Sequence, residues 1–346
     1  MRRSRLRRTL TGIGAVCVLA ACSSGDSTTA RIVVPNGAPV RVAADSLEHA
    51  GVVRSARLFR MYAWLRGGDR RIKAGTYEFR RGDSWSTVLG MLRAGKGIVH
   101  TVTIPEGYAL SQIEPLLAEK LGVPVDSVKA AVRDSALLAR LDIPTATVEG
   151  YLFPDTYTFA DGTTARQAVE DMEHQFEREW KPAWTARLDT LHMSRNDVMT
   201  LASIVEKEAE LPEERPVIAA VYMNRLKAGM LLQADPTVQF ALQSHTSRVL
   251  YKDLRVKSPY NTYRHLGLPP GPIASPGEAS IRAALYPANV PFKYFVAAPD
   301  GHHEFRVDYR GHEAAVRAMR KARDDQARKA KTAHDTTAAP PIRKPG

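Results

Sequence analysis

The stretch LASIVEKEAELPEERPVIAAVYMNRL, Leu201 to Leu226, places Glu206, Lys207, Glu208 and Glu210 directly after an apolar turn. On a helical wheel with Leu201 at zero, Ile204, Val205 and Glu208 fall at roughly 300°, 40° and 340°, while Glu206 and Glu210 fall at roughly 140° and 180°. Glu208 therefore shares the apolar stripe, and Glu206 and Glu210 are expected on a solvated face. A carboxyl among apolar groups resists ionisation and can hold a proton near neutral pH, as a general acid must. An ion pair between Glu208 and a neighbouring Lys or Arg is the other reading, and spacing alone leaves both open.

Elements with recognisable ends surround this stretch. Ser194-Arg195-Asn196-Asp197 caps the helix that carries it, and PEERPVIAAVYMNRLKAG forms the next helix, stopped by Gly229. Upstream, one long helical stretch is expected over Ala165–Leu191, preceded by the aromatic, turn-rich EGYLFPDTYTFADG. SQIEPLLAEKLGV reads as a helix with Ser111 as its cap and Glu114 completing a capping box. VHTVTIPEG reads as a strand and turn. Residues 31–100 hold a short strand (RIVVP), two amphipathic helices, a strand (IKAGTYEF) and a capped final helix, the βααβ outline of a small binding module or of a mere spacer. Downstream, Leu232–Pro299 is rich in Pro, Gly, Asn and Tyr and is expected to be loop-dominated. KYFVAA and HEFRVD can pair as strands. From Met319 the chain is basic and Ala-rich, so 319–346 is expected as a frayed helix followed by disorder.

The chain has 346 residues, enough for two domains, and a formal charge of +12. Five arginines lie in the first eight residues, and Arg317–Gly346 carries nine Lys/Arg against three Asp, leaving about +1 between these ends. That balance argues against a broad nucleic-acid surface. MRRSRLRR followed by LTGIGAVCVLAAC has the charged and apolar regions of an export signal, too short for the ~20 residues of a membrane span. It ends in Leu19-Ala20-Ala21-Cys22, which resembles a bacterial lipoprotein signal over residues 1–22 with lipid on the Cys22 thiol and a tether over 23–30; a plain secretion signal or a short anchor is the alternative. Cys17 and Cys22 are the two cysteines, and on this reading neither enters a disulfide.

Other constellations carry less. His302-His303-Glu304 lacks the helical spacing of a zinc site, His245 and His265 stand alone in loops, and there is no phosphate-binding glycine loop or nucleophile elbow. No metal or cofactor is expected. Gln233, Asp235, Thr237, Tyr260, Asn261 and Tyr263 form a polar and aromatic group suited to a sugar, or to capping their own loop.

At this point LASIVEKEAE, ERPVIAAVYMNRLKAGMLLQADPTVQFAL, SPYNTYRHLGLPPGPIASPGEASIRAALYPA and YFVAAPDGHHEF, together with IKAGTYEF, TIPEGYALSQI and EGYLFPDTYTF, resemble the endolytic murein transglycosylases, the YceG-like family. The likeness runs from about Ile32 to Arg317. It implies an α+β protein: a LysM-like subdomain over 31–100 that touches glycan, then a mixed α/β catalytic domain over 101–318 with a lysozyme-like catalytic helix. It implies cleavage of the β-1,4 bond between N-acetylmuramic acid and N-acetylglucosamine without water, leaving a 1,6-anhydro ring. By motif position the catalytic Glu falls on Glu208, with Glu206 its rival, and Gln233, Asp235, Tyr260, Asn261 and Tyr263 line the cleft. Peptidoglycan strands are the implied partner, with peptidoglycan synthases beside them. Family members usually carry one N-terminal membrane helix, where this chain has a lipobox-like segment; Ser23 after the cysteine favours outer-membrane sorting where such a membrane exists. In either case the catalytic domain would face the wall. A lysozyme-type hydrolase using a second carboxylate such as Asp235, and a non-catalytic wall-binding lipoprotein, are the competing readings.

Overall fold

The computed structural model describes residues 29–35, 38–67, 72–243, 249–298 and 300–337. The expected signal, Cys22 and the start of the tether lie outside the described residues, as do His245 and residues 338–346. No helix among the described residues is long and apolar enough to cross a membrane. The chain is of mixed α+β type and divides into two compact units, the first ending at Gly97 and the second beginning at Ile98.

In the first unit, β1 (Thr29–Val34) is followed by α1 (Val40–His49), α2 (Ala56–Leu65), β2 (Gly75–Arg80) and α3 (Trp85–Ala94). β1 and β2 pair antiparallel, with Ile32 opposite Tyr77. Alternation puts Ile32, Val34, Tyr77 and Phe79 on one face, where they bury against Leu47, Phe59, Ala63 and Leu92 of the helices. Ser55 and Ser84 cap α2 and α3 by accepting from Leu58 N–H and Thr87 N–H. Gly95 closes α3 in the left-handed conformation at φ 71°.

The second unit opens with β3 (Val99–Thr103), α4 (Leu110–Leu121), α5 (Val125–Ala131) and α6 (Ser135–Arg140), then β4 (Thr156–Ala160), which pairs antiparallel with β3. The cap of α4 differs from expectation. The helix begins at Leu110, and the Gln112 side chain accepts from the Ala109 N–H at 3.2 Å. Glu114 is instead buried and pairs with Arg133 at 3.2 Å. The expected single helix over 165–191 is two, α7 (Ala165–Glu179) and α8 (Pro182–Leu191). Trp180 is extended between them (ψ 103°), and the residue before Pro182 is pushed out of the helical region by the proline ring.

α9 (Arg195–Glu208) follows, held at its start by a reciprocal cap between Ser194 and Asp197. A 3-10 turn (Pro212–Glu214) leads into α10 (Arg215–Lys227). The loop-dominated stretch carries α11 (Asp235–Ala241), a second 3-10 turn (Asp253–Arg255) and α12 (Glu278–Leu285). β5 (Tyr294–Ala297) and β6 (His303–Arg306) pair antiparallel, as the sequence suggested, and α13 (Tyr309–Thr337) ends the described chain. That helix includes residues 319–337, the first part of the stretch expected as a frayed helix followed by disorder.

The core of this unit is built round α9. Val198, Met199, Leu201, Ala202, Ile204 and Val205 are all fully buried, as are Thr200 and Ser203. A helix buried all round is an internal one, so the single apolar stripe drawn from the sequence describes only its last turn. α12 packs along it with Ile281, Ala283 and Ala284 buried in the same core, and the small size of the two alanines suits a close approach of the helices. The Ser203 hydroxyl donates to Thr200 O and accepts from the Ile273 N–H at 3.0 Å, docking the GPIASPG segment on the helix.

Candidate active site

Glu208 is the last residue of α9. The next residue, Ala209, is extended, so the chain leaves the helix axis there and returns as α10. This reversal brings Tyr222 of α10 against Glu208: the Tyr222 hydroxyl donates to Glu208 Oε1 at 2.9 Å. Tyr222 is buried, with its ring edge-on to Phe295 at 5.9 Å. No ion pair of Glu208 is formed among the described residues.

Burial pushes the Glu208 carboxyl up to about 7, and the Asp235 carboxylate adds to the effect; the hydrogen bond from Tyr222 and the Arg225 guanidinium oppose it. The negative, C-terminal end of the α9 dipole acts in the same direction as burial, since an anion at a helix C-terminus is disfavoured. A carboxyl poised near neutrality can both give and take a proton.

Arg225 is 8% exposed, and among the described residues no carboxylate lies within ion-pair distance of it. Its Nε donates to Lys293 O at 2.7 Å and its Nη1 to Leu232 O at 2.5 Å, and the guanidinium sits 5.2 Å from the Tyr294 ring centre. A buried cation is costly unless nearby groups compensate it. Here the compensation is carbonyl dipoles, an aromatic face and the field of the acids at the site.

Two loops bring the polar group together. Gln233 N–H donates to Thr262 O at 3.1 Å, Ala234 N–H to Thr262 Oγ1 at 3.0 Å, and the Thr237 and Thr262 hydroxyls meet at 2.9 Å. Gln233 itself is exposed and takes a positive φ of 53°. Beside this seam the Tyr263 hydroxyl donates to Asp235 Oδ1 at 2.5 Å. Burial, then that bond, raises the Tyr263 phenol well above its ordinary range, and the Glu208 charge contributes. Glu208 thus feels Asp235, Tyr222 and Arg225, and Tyr263 feels Asp235, Glu208 and Arg225. Asn261 is fully buried; its amide donates to Leu254 O and Val256 O, and its Oδ1 accepts from Tyr263 N–H. That side chain holds the loop. Tyr260 is half-buried against Phe240, ring centres 4.8 Å apart.

Glu206 departs from the solvated face expected for it. Its side chain is 7% exposed; Oε1 meets Arg215 at 3.4 Å and Oε2 accepts from the Gly277 N–H at 3.1 Å. Lys207 Nζ donates to Gly107 O at 3.2 Å. These contacts fasten the last turn of α9 to the TIPEG and SPGE segments, and of the glutamates Glu206, Glu208 and Glu210 only Glu210 keeps an exposed position.

The sequence reading missed Tyr222 and Arg225. A tyrosine in an apolar helical run carries a hydroxyl that must find a partner when buried, and that was the available signal. It also passed over Glu149, a buried carboxyl whose two oxygens accept from the Leu110 N–H at the start of α4. Burial pushes Glu149 up to about 8. Among the described residues no cluster of His, Cys, Asp and Glu could hold a metal ion.

The chain is 34% identical to an endolytic murein transglycosylase of Bacillus subtilis (strain 168) over 303 residues, 83% of this chain and 84% of that protein. It is 28% identical to a protein of the same name from Streptococcus pneumoniae serotype 2 (strain D39), covering 76% of this chain and about half (53%) of the pneumococcal one. A crystal structure of a YceG-like protein from Listeria monocytogenes superposes with a TM-score of 0.58 at 33% identity, covering 83% of this chain and 99% of that one. The YceG-like family model matches residues 32–318, and the chain belongs to that family.

Proposed function

We propose that this chain is an endolytic peptidoglycan lytic transglycosylase, a lyase, with Glu208 as its acid and base. The observation that carries the reading is the Glu208 carboxyl, half-buried at the end of α9, bonded by Tyr222 and raised to about 7. The relatives named endolytic murein transglycosylase supply the substrate class.

In the reaction, protonated Glu208 gives its proton to the glycosidic oxygen as the bond from muramic C1 breaks. The leaving N-acetylglucosamine departs with that proton as its 4-hydroxyl. The resulting Glu208 carboxylate takes the proton of the muramic C6 hydroxyl while the C6 oxygen bonds to C1. The 1,6-anhydro ring closes, Glu208 is protonated again, and no water is consumed. One carboxyl serves both halves because the nucleophile comes from the sugar; a hydrolytic glycosidase ordinarily needs two. Tyr222 orients Oε1, and Arg225 stabilises the carboxylate present between the halves. Asp235, held by Tyr263 and acting on Glu208, is assigned the part of steadying the cationic C1 with its negative charge. Gln233 and Tyr260 offer a polar and an aromatic contact to the strand, and Asn261 shapes the loop that bears Tyr263.

One observation favours a second reading. Asp235 is a second carboxylate close enough to act on Glu208, the arrangement a lysozyme-type hydrolase needs. Product mass separates the two: the lyase leaves anhydro-muropeptides, and the hydrolase leaves reducing muramic ends heavier by one water.

The βααβ order and antiparallel pairing of the first unit support a LysM-like module that contacts glycan. The N-terminal segment supports anchorage to an envelope membrane through Cys22, with the second unit facing the wall. An endolytic cut of this kind ends nascent strands, beside the synthases that make them. Incorporation of labelled fatty acid that is lost in Cys22→Ala tests the anchor.

A further inference from the structure

Charge is segregated along this chain in a way its near-neutral middle conceals. Residues 29–97 carry thirteen Lys/Arg against five Asp/Glu, whereas residues 98–316 carry twenty-two against twenty-eight. The first unit is therefore strongly basic, whereas the second is acidic over residues 98–316 and is brought to balance only by the basic residues from Arg317 onward.

Within the first unit, α2 is apolar on both sides. Phe59, Ala63 and Ala56 face the core and are buried. The opposite side exposes Leu58 (50%), Met61 (55%), Trp64 (66%) and Leu65 (68%). On the wheel these four fall within an arc of roughly 120°, with Arg57 among them and Arg60 at its edge. Arg54 and Arg66 stand exposed at the two ends of the helix, and residues 54–66 contain no acidic residue. Exposed leucine, methionine and tryptophan on one helix face, interleaved with arginine, is the composition of a helix lying in a lipid headgroup layer.

We infer that the exposed face of α2 docks the first unit onto an anionic phospholipid surface. Charge complementarity favours this occupant, and so does chain connectivity. The apolar run ends at Cys22, seven residues before β1 begins at Thr29, and seven residues reach at most ~25 Å. The first unit is thus tethered within that reach of the run. Tryptophan belongs at such an interface, where its ring is half in hydrocarbon and its N–H is wet. The helix would lie in the plane of the surface, with Phe59 and Ala63 still in the core of the unit.

The position of the tryptophans makes this testable in the full chain. There are four, Trp64, Trp85, Trp180 and Trp184; Trp180 and Trp184 are buried, Trp85 half-buried, and the N-terminal apolar run has none. The full chain is reconstituted into vesicles of brominated phosphatidylglycerol or brominated phosphatidylcholine, and tryptophan emission is followed. The inference predicts quenching that is stronger in the anionic vesicles and whose quenched component disappears in Trp64→Phe. Arg57→Gln and Arg60→Gln are each expected to lower the ratio of docked to undocked chain about fivefold. Quenching that survives Trp64→Phe, equal quenching in the two lipids, or none at all overturns it. So does a Trp64 emission shift caused by soluble peptidoglycan fragments and not by vesicles, which would make the face a sugar-stacking surface. The anchor alone would hold the chain to both lipids equally, so the lipid contrast reads docking and not anchorage.

Discussion

The Tyr222 hydroxyl donates to Glu208 Oε1 at 2.9 Å across the turn between α9 and α10, and it is the one hydrogen bond to that carboxyl among the described residues. The bond favours the charged carboxylate, whereas burial and Asp235 favour the neutral acid. Tyr222→Phe therefore leaves the raising influences and removes a lowering one, so the Glu208 pKa moves further up. The first half of the reaction needs the protonated acid. The alkaline limb of the pH–rate profile should shift to higher pH in Tyr222→Phe, and the maximal rate should fall, on the order of tenfold, because Oε1 is no longer oriented. Digestion of purified peptidoglycan across pH 5 to 9 checks this. An unmoved limb would remove Tyr222 from the account.

Glu206 and Glu208 are two residues apart and do different work. Glu206 fastens the end of α9 to Gly277 and Arg215. Glu206→Gln should keep the N–H contact in part and leave Arg215 without its buried partner, costing about 1–3 kcal/mol of stability. Cleavage by the folded fraction should persist. Glu208→Gln should show the reverse, a stable protein that does not cleave. Denaturant midpoints measured beside activity for both variants distinguish them.

Glu149 gives a pH dependence to stability that is separate from catalysis. Its folded pKa, about 8, lies above the ordinary glutamate value, so the folded state binds the extra proton. Its contribution is fully present below the unfolded pKa and is lost as pH rises through about 8. Glu149→Gln carries no titrating proton and can still accept from Leu110 N–H. The fall in denaturation midpoint from pH 5 to pH 8.5 should be smaller in this variant than in the wild-type chain.

Much of this was legible in the sequence, and the misses share a cause. The wheel separated Glu208 from Glu210 because helical phase is a local property that the ten residues from Leu201 to Glu210 contain. It placed Glu206 in water because the groups that cover it, Arg215 and the Gly277 N–H, lie nine and seventy-one residues away. Tyr222 and Arg225 were hidden for the same reason: their partners are set by the reversal after Ala209 and by carbonyls of distant loops. Asn261 was readable either as a sugar contact or as a loop cap, and its burial against Leu254 O and Val256 O is decided by loop packing that periodicity cannot express. The break between α7 and α8 was available in Lys181-Pro182 and was passed over because the apolar spacing continues across it.

Gly150, in the EGYLFPDTY segment, has φ of +81°, and a Cβ there would lie 2.3 Å from Pro272 Cβ and 3.2 Å from Ala274 O. Neither neighbour is the free end of a flexible side chain. Gly150→Ala should cost about 2–4 kcal/mol, from the left-handed backbone and overpacking together. It should also disturb the Pro272–Ser275 segment docked on α9 through Ser203. Thermal unfolding of the variant checks the cost.

The central claim is that Glu208 cleaves glycan by ring closure and not by water. The most direct measurement is mass analysis of the muropeptides released from purified peptidoglycan by the wild-type chain and by Glu208→Gln. The account predicts internal cuts that leave 1,6-anhydro-muramic ends from the wild type and no cleavage from the variant. Reducing muramic ends heavier by one water, or cleavage by Glu208→Gln at the wild-type rate, would contradict it.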